Sequence, residues 1–346
     1  MSPLPPFNRR YTLKARPVDL PGPEHFALEE LEHPTLAPSE IRVAVHYVAL
    51  SPWQGQRLKD FSNYTHPFKI GELIDCDILG EVVEVGSAVA GTCGIGQLVT
   101  GRLGWQEYAV TTLEHLRLER AEFDPTLWLT AVSSPGLTAY CALDMFARPM
   151  PGQSLVVTSA AGAVGGFAVQ LGKLAGMHVV GVAGGAAKCA HVVDMLGADA
   201  CIDYQSDTYR DALKAALPDG AHIVFDTVGG PVADAVFDNI AKYARVVIVG
   251  RTRSNNSDRP DLDSVNMRQL WAREASVQGF SRYSYPRQWA FARERMIELC
   301  RCGAIGSHHN TVEGFEATPQ ALHDMLTGKF IGKVLVRYQS AGRAGQ

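Results

Sequence analysis

The chain has few charges and no long run of one sign. Asp, Glu, Lys and Arg make up 20% of it, and the formal net charge is −4. Without a basic block there is no electrostatic footprint for a nucleic acid or an anionic membrane. Cysteine is sparse and scattered, with seven residues at 76, 93, 141, 189, 201, 300 and 302. An odd number without framework spacing excludes a disulfide scaffold and suits reduced thiols in a cytoplasmic protein. Cys300 and Cys302, the only close pair, have a single residue between them, too few for a zinc-type C-x-x-C. Catalytic signatures are missing too. None of the eleven tyrosines is followed four residues on by Lys, so there is no Tyr-x-x-x-Lys acid pair. Neither Gly-x-Ser-x-Gly nor His-Glu-x-x-His occurs. The first residues, Met1 to Arg10, are Pro-rich without an apolar core and do not read as a signal peptide.

One stretch, Pro149 to Gly172, carries no charge and resembles a membrane span in hydropathy. It opens with Pro-Gly, holds a Ser-Ala-Ala-Gly turn and changes from strand-like to helix-like periodicity. It therefore reads as a buried strand, turn and helix. Up to about residue 130 the chain shows short β-rich runs, such as Ile41–Leu50 and Ile78–Val85, punctuated by Pro and Gly. That pattern predicts a small, irregular β-barrel-like domain. From residue 153 the rhythm becomes strand and helix in alternation. Strands are predicted at 154–159, 178–183, 200–204, 223–228, 244–250 and 277–280. Apolar residues at 164, 168, 171 and 175 give the first helix one face. This alternation predicts an α/β fold with a doubly wound parallel sheet of six strands. Pro286–Cys302 reads as a helix, and Lys333–Tyr338 as a strand that rejoins the first domain.

The strongest local motif is Ala160-Ala161-Gly162-Ala163-Val164-Gly165, between a strand and a helix. Gly162 lets a backbone approach a pyrophosphate, and Gly165 allows close helix–strand packing. The helix N-terminus offers free N–H groups and a positive dipole end. An NAD site would carry an acid about 20 residues on, at the end of the second strand, to grip the ribose 2′-OH. Here that place reads Ala183-Gly184-Gly185-Ala186-Ala187-Lys188, with a cation and no acid. The exchange favours the 2′-phosphate of NADP; a solvated surface lysine is the plainer reading of Lys188.

Further segments occur in order around this turn: Gly104-Trp105-Gln106-Glu107-Tyr108, Gly136-Leu137-Thr138-Ala139-Tyr140, Ile202-Asp203-Tyr204, Phe225-Asp226-Thr227-Val228-Gly229-Gly230 and Gly328–Val336. Together they resemble the medium-chain dehydrogenase/reductase superfamily over residues 10–338. Within it they resemble the zinc-free group of prostaglandin reductases, leukotriene B4 dehydrogenases, plant double-bond reductases and bacterial curcumin reductases. The resemblance implies a GroES-like domain of residues 1–132 and 303–346, split around a Rossmann domain of residues 133–302. It implies a homodimer, and NADPH giving hydride to the β-carbon of an enone or enal. Donors are then needed at the carbonyl oxygen, where charge develops.

By the same resemblance, Gly162, Ala163, Val164 and Gly165 would hold the pyrophosphate, and Gly184, Lys188 and Tyr204 the adenosine phosphate end. Gly250, Arg251, Thr252, Phe280, Ser281 and Arg282 would line the nicotinamide side. Thr227 and Phe330 stand where relatives carry cofactor-touching asparagines. The family's loop tyrosine falls at Asn255, and its Asp-Pro-Tyr-Met-Arg-Gly-Arg run appears as Ser51-Pro52-Trp53-Gln54-Gly55-Gln56-Arg57. Trp53, Arg57, Asp77 and Tyr283 are the pocket candidates. Tyr64 and Asn255 are the catalytic candidates, Tyr64 reading equally as a phenol near the substrate carbonyl or as a packed loop aromatic. Trp105 and Tyr285 add to an aromatic set suited to a flat, conjugated substrate. Where zinc enzymes of the superfamily carry Gly-His-Glu, this chain has Asp75-Cys76-Asp77, with Ser51 and Ser134 in place of partner cysteines. One thiol and one carboxylate do not make a three-ligand catalytic site, so no metal is expected. The remaining alternatives are a quinone reductase and a low-turnover NADPH-binding sensor or scaffold.

Overall fold

In the computed structural model, residues 4–60, 66–120, 124–251, 267–281 and 284–338 are described. The chain divides into two units, Met1–Leu129 with His309–Gln346, and Thr130–His308.

The first unit is built on a long β-branched run, β3. Its strands in this half are β1 (Phe7–Leu13), β2 (Phe26–Glu32), β3 (Glu40–Leu50), β4 (Asp77–Val85), β5 (Leu98–Arg102), β6 (Tyr108–Thr112) and β7 (Leu116–Leu118), with α1 (Pro52–Arg57) after β3. β1 and β2 pair antiparallel as a separate ribbon. β3 pairs antiparallel with β4 along most of its length and with β6 at its start. Its register against β4 shifts twice, the mark of the bulges that bend a small sheet toward closure. Ile41, Val43, Val45, Val48 and Leu50 point into a core shared with Phe68, Ile74, Cys76 and Trp105.

The second unit carries α2 (Ser134–Ala142), β8 (Ser154–Thr158), α3 (Ala163–Leu174), β9 (His178–Ala183), α4 (Ala186–Asp194), β10 (Ala200–Asp203), α5 (Tyr209–Ala216), β11 (Ala221–Asp226), α6 (Gly230–Phe237), β12 (Ile240–Ile248), α7 (Met267–Ala272), β13 (Ser276–Gly279) and α8 (Pro286–Arg301). Its six strands lie in the order β10-β9-β8-β11-β12-β13, and every pairing is parallel. The order reverses between β8 and β11, so a switch point lies at the C-terminal ends of these strands. The uncharged stretch that mimicked a membrane span is β8, its turn and α3; no described helix is long and apolar enough to cross a membrane.

The chain then returns to the first unit through β14 (His309–Glu313), α9 (Thr318–Leu326) and β15 (Lys333–Arg337). β15 pairs antiparallel with β3 and parallel with β14, as the rejoining strand requires. The two sheets form the GroES-like and Rossmann architecture that the resemblance implies. One local expectation needs correcting. On α3 the buried face is Gly165, Phe167, Ala168, Val169 and Gly172. Of the four residues read as its apolar stripe, only Ala168 is buried. Gly165 and Gly172, where a Cβ would clash with β8 and its turn, set which face of the helix meets the sheet, and an apolar-residue count does not register them.

Candidate functional site

The phosphate turn begins where β8 ends. Ser159 sits at φ 51, a left-handed conformation that costs about 1 kcal/mol for a residue with a Cβ. It breaks the strand sharply and lets the Gly162 amide donate to the Ser159 carbonyl at 2.8 Å. Gly162 is the N-cap of α3, and no side chain caps the helix. Its first-turn N–H groups are therefore open to an anion, aided by the helix dipole. Gly165 must lack a side chain: a Cβ there would stand 2.2 Å from the Ser159 carbonyl oxygen. Ala163 and Val164, half-buried, complete the turn.

The next turn joins β9 to α4. Gly185, at φ 90, is the N-cap of α4 and also lacks a side-chain cap bond. Lys188 lies in the first turn of α4. Tyr204, at the end of β10 and 42% exposed, lies over Gly184, where a Cβ would come 2.7 Å from the phenol oxygen. Beside it, the Asp203 Oδ1 accepts from the Gly185 amide at 2.8 Å and the Gln205 amide at 2.9 Å. These two backbone donors hold the Asp203 carboxyl below the usual carboxylate range. Sequence reasoning quoted Asp203 in a motif but gave it no role. Its task is to fix the turn that carries Gly184, Gly185 and Lys188.

At the switch point, Asp226 closes β11. It is fully buried. Its Oδ1 accepts from Thr158 Oγ1 at 2.7 Å, the Val228 amide at 3.1 Å and the Gly229 amide at 3.3 Å. Its Oδ2 has no hydrogen-bond partner among the described residues; the Arg251 guanidinium stands 3.8 Å away. Thr227 donates its hydroxyl to the Thr158 carbonyl at 3.3 Å, and its amide donates to Thr158 Oγ1 at 2.9 Å. Thr227 thus ties β11 to β8. Gly250 is adjacent: a Cβ there would meet the Thr227 carbonyl at 3.4 Å. Phe280 is buried and stacks on Tyr285 at 5.8 Å, with Phe146 edge-on. Tyr285 is therefore committed in part to packing, and Ser281 is exposed.

The first unit holds the other candidates. Arg57 lies over the Phe68 ring at 3.8 Å and over Trp53 at 5.9 Å, and Arg102 lies over Trp53 at 4.7 Å. Arg57 pairs with Asp75 at 3.2 Å and Glu72 at 3.3 Å, and Arg102 also pairs with Asp75. Trp53 and Phe330 pack against the core of this unit. Asp77 opens β4 and is half-buried. Trp105 is wholly buried between Phe26 and Tyr11. It belongs to the core and not to a pocket, a correction that follows from its size in a small barrel.

Cys76 is fully buried and donates to the Ala49 carbonyl at 3.3 Å; burial pushes its thiol up, away from the thiolate a metal needs. Lys333, which sequence reasoning missed, is buried and donates to the Leu50 carbonyl at 2.7 Å and Ser51 Oγ at 2.6 Å. Among the described residues, no group of three or more His, Cys, Asp or Glu is placed to hold a metal ion. Tyr64, Thr252, Asn255, Arg282 and Tyr283 lie outside the described residues.

Comparison with known proteins bears on both units. Residues 9–118 match the family described as an N-terminal domain of oxidoreductase, and residues 163–298 the family described as a zinc-binding dehydrogenase. The chain is 34% identical to the NADPH-dependent curcumin reductase of Escherichia coli over 95% of its own length and 96% of that protein's. It is 30% identical to prostaglandin reductase 1 of Sus scrofa over 95% of its own length and 98% of that protein's. The solved structure of CurA from Vibrio vulnificus in complex with NADPH superimposes with a TM-score of 0.89 at 32% identity, covering 96% of this chain and 99% of that one. With this likeness running through both sheets, the chain belongs to the medium-chain dehydrogenase/reductase superfamily, in the group of the curcumin and prostaglandin reductases.

Proposed function

We propose that the protein is an NADPH-dependent ene reductase acting on a C=C bond conjugated to a ketone or aldehyde carbonyl. The observation that carries this reading is the whole-length likeness to an NADPH-dependent curcumin reductase. The residues present fit the cofactor. The N-terminus of α3 is open, and Gly165 and Gly184 stand where a Cβ would clash. The end of β9 carries Lys188 and no acid that would repel a 2′-phosphate.

When bound, NADPH supplies the hydride that adds to the β-carbon of the substrate. Ala163, Val164 and Gly165 bind the pyrophosphate through the α3 N-terminus, and Lys188 and Tyr204 hold the adenosine phosphate end. Gly250, Arg251, Thr252, Phe280, Ser281 and Arg282 line the nicotinamide side. The hydrogen bond between Thr227 and Thr158 keeps the ends of β8 and β11 at a fixed separation behind that face. On this reading residues 133–302 are the cofactor domain, and residues 1–132 with 303–346 the substrate domain. Trp53, Arg57, Asp77 and Tyr283 line the pocket, Tyr64 and Asn255 supply donors toward the substrate oxygen, and Phe330 borders the nicotinamide. The protein is cytoplasmic, consistent with seven free thiols. It is a homodimer, for which β13 is the exposed strand that ends the sheet among the described residues.

The test is incubation of purified protein with NADPH and a panel of enones, enals and quinones, with products identified by mass. A saturated ketone or aldehyde with its carbonyl intact is the expected product. NADPH oxidation with quinones alone would overturn the reading in favour of a quinone reductase. NADPH binding without turnover on any acceptor would overturn it in favour of a sensor or scaffold.

A further inference from the structure

Lys333 opens β15 and is only 5% exposed, and its ammonium donates to the Leu50 carbonyl at 2.7 Å and to Ser51 Oγ at 2.6 Å. An ammonium carries N–H donors and no lone pair. Toward Lys333 the Ser51 oxygen can therefore only accept, and its own O–H has to point elsewhere. Among the described residues no acceptor takes that proton. The backbone of Ser51 is held as well. Its amide donates to Gln54 Oε1 at 2.8 Å, and the wholly buried Gln54 side chain donates on to the Asp75 carbonyl at 3.1 Å. Half-buried Ser51 thus combines a fixed oxygen, a cation behind it and a hydroxyl proton that the fold does not use.

The ends of β3, β4 and β15 meet around this residue, all within the first unit. Ala49 of β3 lies opposite Asp77, the first residue of β4, and Leu50 lies opposite Val334 of β15. Ser51 follows directly, and α1 with Trp53 and Arg57 begins directly after it. Ser51 therefore lies at the same sheet end as Trp53, Arg57 and Asp77, which line the pocket on the reading above.

We propose that the Ser51 hydroxyl, backed by the Lys333 ammonium, donates a hydrogen bond to the carbonyl oxygen of the enone or enal. The proposal rests on the ene-reductase reading and deepens it. As hydride reaches the β-carbon, negative charge gathers on that oxygen. A donor already held in place stabilises it without reorganisation. Lys333 draws electron density from the Ser51 oxygen and so makes the O–H a stronger donor, as successive hydrogen bonds polarise one another. Ser51 is the catalytic donor on this account. Lys333 acts through it and is a positioning residue.

The test uses the full-length protein and has two readings. Turnover is measured with NADPH and the acceptor of the panel above that the parent reduces fastest. The hydrogen bond is read with the chromophoric enal 4-(dimethylamino)cinnamaldehyde in the presence of NADP⁺, which has no hydride to give. A donor on its carbonyl oxygen moves the absorption band to the red. Ser51→Ala should lower kcat by roughly a hundredfold with the KM for NADPH unchanged, and should lose most of the red shift. Ser51→Thr, which keeps the hydroxyl, should recover most of both. Lys333→Met should weaken both readings by less than Ser51→Ala, and the Ser51 pair decides the proposal even where Lys333→Met does not fold. Parental kcat in Ser51→Ala, absence of a red shift in the parent, or an equal loss in Ser51→Ala and Ser51→Thr would each overturn the proposal and leave the ene-reductase reading standing. A parent that reduces no enone or enal would overturn that reading, and the proposal with it.

Discussion

The phenol end of Tyr204 comes so close to Gly184 that a Cβ there would stand 2.7 Å from the phenol oxygen. The glycine and the tyrosine form one surface at the end of β9. Gly184→Ala forces the ring away, at a modest cost because Tyr204 is a partly exposed side chain that can rotate. The expected outcome is a several-fold rise in the KM for NADPH, with kcat nearly unchanged and stability reduced by about 1 kcal/mol or less. An unchanged KM would show that this surface does not meet the cofactor.

Lys188 has a sharper signature, because its proposed partner exists on only one of the two nicotinamide cofactors. A charge-assisted hydrogen bond is worth about 1.5–3 kcal/mol. Lys188→Ala should therefore lower kcat/KM for NADPH by roughly ten- to a hundredfold. Activity with NADH, which has no 2′-phosphate, should hardly change. An equal loss with both cofactors would place Lys188 in a structural role.

Much of this arrangement was legible in the chain, and what was not has identifiable causes. The βαβ rhythm declared itself because the central strands β8, β9 and β11 are buried on both faces and read as continuous apolar runs. The turn between β8 and α3 was legible because its glycines stand out in sequence, and at Gly165 the Ser159 carbonyl leaves no room for a Cβ. The roles of Asp203, Asp226 and Lys333 were not legible. Each binds backbone atoms or hydroxyls brought close only by the fold, and a lone carboxylate or lysine has no periodicity. The α3 stripe was misread because two of its contact positions, Gly165 and Gly172, are glycines that an apolar count passes over. Trp105 was misplaced for the opposite reason: an aromatic in a Gly-rich loop looks available until the barrel closes over it. The Thr227 hydroxyl bridges β8 and β11, a role that the local sequence does not announce.

Asp226 gives a stability prediction. Its buried Oδ1 satisfies Thr158 Oγ1 and two amides. Asp226→Ala leaves all three donors without their buried acceptor, at a cost of about 3 kcal/mol or more. Asp226→Asn keeps the acceptor oxygen and should cost distinctly less. Urea denaturation of the two variants checks the order. Equal destabilisation would mean that the negative charge beside Arg251, and not the hydrogen bonding, is what the fold requires.

Asp199 gives the pH dependence. It lies just before β10. Its carboxylate accepts from Lys173 of α3 at 2.7 Å on each oxygen and from the Val179 amide of β9 at 2.7 Å, with His178 at 3.6 Å. Burial works against the charged form, but the bonds from Lys173 and Val179 outweigh it and hold the pKa below the usual carboxylate value. A depressed folded pKa means that the unfolded chain takes up a proton first as acid is added. The stabilisation is therefore complete at neutral pH. It starts to fade as the pH falls below about 5 and is gone once the pH passes under the folded value. Asp199→Asn should thus unfold at lower denaturant concentration than the parent at pH 7, and the gap should narrow steadily toward pH 3. Lys173→Met should behave in the same way, because it removes the donor from the other side of the pair. A gap that stays constant between pH 7 and pH 3 would show that packing of the side chain, and not its charge, joins α3 to β9.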